Sequence, residues 1–120
     1  MPKKILIIED ERPMAQALKL KLTHSHFETA IAYNGEDGLA ILEKETFSLI
    51  LLDLVMPRIN GFSVLETLKE KKIQTPVIVL SNLSQKEDEK RARTFGIEEF
   101  FIKSDTPIAT IIERIEQFLK

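Results

Sequence analysis

No cysteine occurs among the 120 residues, which excludes a disulfide framework, a thiol nucleophile and a thiolate metal centre, and fits a reducing compartment. An excess of positive charge is also missing: Lys and Arg total 17 against 19 for Asp and Glu, a formal charge of −2. Without a basic field the chain has little with which to hold a phosphodiester backbone, so direct nucleic-acid binding is not expected. Long apolar runs are absent as well. None approaches the ~20 residues that span a bilayer, and Met-Pro-Lys-Lys leads straight into an apolar run too short for a signal peptide. A cytoplasmic location without membrane contact is the expectation. No linker, low-complexity tract or tandem repeat interrupts the chain, whose length suits one domain over residues 1–120.

What is present is the mixture of a packed globular protein, 43% hydrophobic and 30% charged. Short apolar runs at residues 5–8, 49–52, 77–80 and 100–102 read as strands, and their near-continuous hydrophobicity predicts a parallel sheet covered on both faces. A milder run at residues 27–33 carries Glu28 and Thr29, as an edge strand would. Helical spacing fills the intervals: Met14, Leu18 and Leu22; Leu39 and Leu42 after Asn34-Gly35; Phe62, Leu65 and Leu68; and Ile108, Ile111, Ile112, Ile115 and Leu119. Thr106 is placed to cap the last of these, with Pro107 in its first turn. The segment 85–95 differs, because residues 86–91 are all charged and only Ala92 and Phe95 can pack, so it should be the loosest element. Strands and helices in alternation, five of each, predict a flavodoxin-like, doubly wound α/β fold with strand order 2-1-3-4-5.

In such folds ligands bind beyond the carboxyl ends of the strands. The residues following the buried runs are all polar: Glu9 and Asp10, then Asp53, Ser81 and Lys103. Each has an ordinary explanation alone. Ser81 could serve a turn, Lys103 could be a solvated charge, and Glu9-Asp10 could complement a helix N-terminus. Asp53 resists that treatment, since it closes Leu49-Ile50-Leu51-Leu52, where an unpaired carboxylate is costly. Gathered at one mouth of the sheet, the carboxylates balance only against a hard divalent cation and the lysine together. Mg²⁺ suits such oxygen donors, and phosphoryl transfer needs mainly positioning and charge neutralisation. Asp53 would be the nucleophile, Glu9 and Asp10 would hold the metal, and Lys103 with the Ser81 hydroxyl would meet phosphoryl oxygens.

From end to end the chain resembles the receiver domains of two-component response regulators, such as the chemotaxis regulator. The resemblance rests on Glu9-Asp10, on Asp53-Leu54-Val55-Met56-Pro57 with Asn60-Gly61 beyond it, on Ser81 and on Lys103. It implies Asp53 as phosphoacceptor, the Val55 carbonyl as a further Mg²⁺ ligand, and Ser81 with Phe100 as paired switch residues. It also implies a histidine kinase or phosphotransfer protein as donor, and output to a target or a second copy through the last two helices and the fifth strand. Ser104 stands where the family usually has a cis proline, Asn82 where it prefers Ala or Gly, and Phe100 where tyrosine is commoner. A haloacid-dehalogenase-like phosphatase resembles the chain less, because its second aspartate, two residues past the nucleophile, is here Val55. A degenerate receiver acting by contact alone is disfavoured by the intact acidic set and lysine.

Overall fold

The structure, a computed structural model, describes residues 2–83 and 85–120. The described residues form β1 (Lys4–Ile8), α1 (Arg12–His24), β2 (Glu28–Ala32), α2 (Gly35–Lys44), β3 (Leu49–Asp53), α3 (Gly61–Glu70), β4 (Val77–Ser81), α4 (Lys86–Arg93), β5 (Glu99–Ile102) and α5 (Ile108–Phe118). All pairings in the sheet are parallel, in the order β2-β1-β3-β4-β5. This is the doubly wound, flavodoxin-like arrangement that the alternation of runs predicts. β2 is an edge strand, as its polar residues suggested.

Alternation along the strands divides the core between the two faces. Ile5, Ile7, Leu49, Leu51, Ile78 and Leu80 pack with Ala15, Leu18 and Leu22 of α1 and Ile111, Ile112 and Ile115 of α5. Leu6, Ile8, Ile50, Leu52, Val77 and Val79 pack with Leu42 of α2, Phe62, Val64, Leu65 and Leu68 of α3, and Ala92 of α4. The central strands β3 and β4 are buried at every position, which is why they carry no alternation in the sequence.

Asn34 and Asn60 cap α2 and α3 by accepting from the backbone N–H of Asp37 and Ser63. The expected cap of α5 is not made. Thr106 is extended (φ −123°, ψ 113°) ahead of a proline, and Pro107, itself extended at ψ 146°, becomes the N-cap residue, so the helix begins at Ile108. The clash between a proline ring and the preceding residue accounts for the shift. α4 buries only Ala92, while Phe95, just beyond it, is half-buried against the core. Arg91 adds a contact from the surface, its guanidinium 4.1 Å from the centre of the Phe62 ring.

Candidate functional site

Parallel register brings the polar strand ends together. Ile8 pairs with Leu52, which sets Glu9 beside Asp53; Asp53 pairs with Leu80, and Ser81 with Ile102, immediately before Lys103. Glu9, Asp53 and Ser81 are the buried polar residues of the described chain, at 2%, 4% and 0% exposure. The loop after Asp53 turns back sharply: the Gly61 N–H donates to the Leu54 carbonyl at 2.9 Å. A Cβ at Gly61 would lie 2.5 Å from the Asp53 carbonyl oxygen and 2.6 Å from the Leu54 Cα, so the approach requires glycine.

Lys103 opens a single 3-10 turn, Lys103–Asp105, and its side chain reaches into the acidic mouth. Nζ donates to Asp53 Oδ2 at 3.2 Å and to Glu11 Oε1 at 2.8 Å. It also lies 2.6 Å from Glu9 Oε1, but without the angles of a hydrogen bond, which leaves that buried oxygen with no hydrogen-bond partner among the described residues. Asp53 Oδ1 accepts from the Val55 N–H at 3.1 Å and Glu9 Oε2 from the Glu11 N–H at 3.1 Å. The Ser81 hydroxyl accepts from the Leu83 N–H at 3.1 Å. Phe100 is half-buried and packs on the sheet face covered by α2, α3 and α4.

Burial is the largest influence on both buried acids. It lifts Glu9 to about 7, the Lys103 ammonium opposing the shift and the Asp53 charge adding to it. Asp53 is also raised, by burial against the opposing pull of Lys103 and the Val55 N–H. At Lys103 burial acts to lower the affinity for a proton, but the hydrogen bond to Glu11, the close Glu9 carboxylate and the Asp53 charge outweigh it, so the lysine stays charged.

Glu9, Asp10 and Asp53 each offer a carboxylate oxygen within 4.8 Å of the others. A hard oxygen set that includes an orphaned buried oxygen fits a divalent cation such as Mg²⁺. Above it lies a cavity of about 310 Å³, lined by Asp10, Glu11, Asp53, Val55, Asn82, Leu83 and Lys103. The cavity is large enough for a phosphoryl group, and the apolar Val55 and Leu83 form part of its lining. Glu11 is the site residue that the sequence reading missed. Its signal was a third consecutive acid followed by Arg12-Pro13, which places it at the start of α1 and therefore at the strand mouth.

The chain matches the response regulator receiver domain family over residues 5–116 and belongs to it. It is 32% identical over 117 residues to the response regulator ArlR of Staphylococcus saprophyticus, covering 98% of this chain and 52% of that protein. The chain thus spans about half the length of the curated relatives it matches. Among solved structures, the receiver domain of Francisella response regulator 1452 shares 29% identity with a TM-score of 0.89, covering 96% of this chain and 94% of that one. The response regulator TrrA from Thermotoga maritima, solved in complex with Mg²⁺–BeF, shares 27% identity with a TM-score of 0.83, covering 96% of this chain and 97% of that one.

Proposed function

We propose that this chain is a phosphorylation-dependent signalling switch that accepts a phosphoryl group on Asp53. The observation that carries the reading is Asp53 itself: a carboxylate 4% exposed at the end of a wholly buried strand, 3.2 Å from the Lys103 ammonium and beside Glu9, whose buried Oε1 accepts no hydrogen bond among the described residues. Burying such a group is costly, and perturbed buried carboxylates of this kind cluster at functional sites.

The donor would be a phosphohistidine on a sensor histidine kinase or phosphotransfer protein. An Asp53 carboxylate oxygen attacks phosphorus, the N–P bond breaks, and the imidazole leaves with the bonding pair and takes up a proton. Glu9, Asp10, Asp53 and the backbone carbonyl of Val55 would hold Mg²⁺, which when bound neutralises charge on the transferring phosphoryl oxygens. Lys103 orients another phosphoryl oxygen, and the Ser81 hydroxyl leaves the Leu83 N–H to meet a third. Space vacated by Ser81 lets the Phe100 ring turn inward, and the α4–β5–α5 surface changes its affinity for a protein target or a second copy. α4 is suited to moving because it buries so little.

On this reading the chain catalyses only its own phosphorylation and autodephosphorylation, binds no nucleic acid directly, and acts in the cytoplasm with its kinase. No helix among the described residues is long and apolar enough to cross a membrane. The test is acetyl phosphate with Mg²⁺, followed by mass spectrometry. Wild type should gain one phosphoryl group and Asp53→Asn none, with its circular dichroism unchanged. Incorporation by the variant at the same site would refute the assignment.

A further inference from the structure

We propose that Glu11 is a placeholder for the phosphoryl group, holding the Lys103 ammonium while Asp53 is unmodified and giving it up when the phosphoryl oxygens arrive. The inference rests on Asp53 being the acceptor and concerns how that site is regulated.

A lysine ammonium has three N–H directions and a carbon stem. Around Lys103 Nζ stand Glu9 Oε1 at 2.6 Å, Glu11 Oε1 at 2.8 Å and Asp53 Oδ2 at 3.2 Å. Hydrogen bonds to Glu11 and Asp53 take two of the three N–H directions, and Glu9 Oε1 crowds the nitrogen as an ion-pair partner, so an arriving phosphoryl oxygen competes with these carboxylates for the ammonium. Glu9 is fixed at the end of β1 and 2% exposed, and Asp53 is the residue that carries the phosphoryl group. Glu11 alone of the three is free to leave, since its side chain is 57% exposed while that of Lys103 is 8% exposed.

Its backbone is anchored independently. The Glu11 N–H donates to Glu9 Oε2 at 3.1 Å, and its carbonyl accepts from the Ala15 N–H at 2.9 Å. The side chain sits at the N-cap position of α1 yet makes no cap hydrogen bond among the described residues; its one hydrogen bond there goes to Lys103. Glu11 is also outside the group of carboxylates close enough to share a metal ion. It is therefore a positioning residue that competes with the phosphoryl group for one ammonium.

The test is the affinity of the Mg²⁺-loaded protein for beryllofluoride, followed by NMR, in wild type, Glu11→Ala, Glu11→Gln and Glu11→Asp. Removing a competing ion pair with one exposed partner should tighten beryllofluoride binding about fivefold in Glu11→Ala and Glu11→Gln. Glu11→Asp separates competition from simple charge. It keeps the negative charge, but it is one methylene shorter and suited to capping α1 instead. The placeholder predicts tightening like that of Glu11→Ala, whereas a general charge effect predicts wild-type behaviour. Unchanged or weaker affinity in Glu11→Ala, or wild-type affinity in Glu11→Asp, overturns the placeholder and leaves Asp53 as acceptor. Failure of wild type itself to bind beryllofluoride overturns both.

Discussion

Leu51 and Asp53 stand two residues apart on β3 and are almost equally withdrawn from water, at 1% and 4% exposure, yet their burial acts in opposite directions. Leu51 loses apolar surface to the α1–α5 core, and that stabilises the fold. Asp53 and its neighbour Glu9 lose hydration that Lys103 only partly replaces, and both hold their protons more tightly for it. The middle of the sheet supplies the stability that offsets the cost of the buried carboxylates at its carboxyl end. A divalent cation held by Glu9, Asp10 and Asp53 would offset part of that cost.

The comparison is broken most severely in the middle. Leu51→Ala should cost about 2–5 kcal/mol by loss of transfer free energy plus a residual cavity, read as a lower urea midpoint at unchanged slope. A cost under about 1 kcal/mol would mean that the sheet centre collapses around the gap and is not the source of stability.

At the carboxyl end the sign should reverse. Glu9 has a folded-state value of about 7 against an ordinary 4.5, so between those pH values the native state holds a proton that the unfolded state has lost. Metal-free wild type should therefore be relatively most stable below the lower value and lose stability as pH rises through about 7. Glu9→Gln removes that loss. At pH 8 in chelator it should be more stable than wild type by about 1–2 kcal/mol, a figure discounted for the open mouth and for Lys103. At pH 4 the two should be alike. Its Mg²⁺ affinity should fall, and greater stability without that loss would separate Glu9 from the metal.

Smaller effects are expected at the rim. Val55 and Leu83 line the cavity, and neither can orient a water in line with an aspartyl phosphate bond. If Asp53 is the acceptor, slow autodephosphorylation is expected, and Val55→Asn or Leu83→Glu should shorten the phosphoprotein lifetime by about tenfold or less, about 1.4 kcal/mol at most. Decay no faster than wild type would sink the argument from water orientation. The smallest stability change belongs to α4. Arg91→Ala removes the stack on Phe62 and the 3.8 Å contact with Glu66, at a cost within about 1 kcal/mol. It should nonetheless accelerate amide exchange in Lys86–Arg93 well beyond that in Ile108–Phe118; uniform exchange in both helices would show that α4 is not held separately.

The amino-acid sequence by itself determined the strands, their covering helices and the order of the sheet, because apolar run length and helical spacing are local and the crossover rules leave few ways to arrange them. It also determined which polar residues follow each run, and so Glu9, Asp10, Asp53, Ser81 and Lys103 as candidates. The sparse packing of α4 was legible in its unbroken charges. Only the tertiary structure decided how those groups meet. The β1–β3 register fixes Glu9 beside Asp53, the β3–β4 and β4–β5 registers bring up Ser81 and the approach to Lys103, the turn after β5 sends Lys103 across to Glu11, and Pro107 displaces Thr106 from the cap of α5. Distances between residues far apart in the chain, and the hydrogen-bond angles that leave Glu9 Oε1 without a partner, arise from packing and pairing that no local pattern encodes.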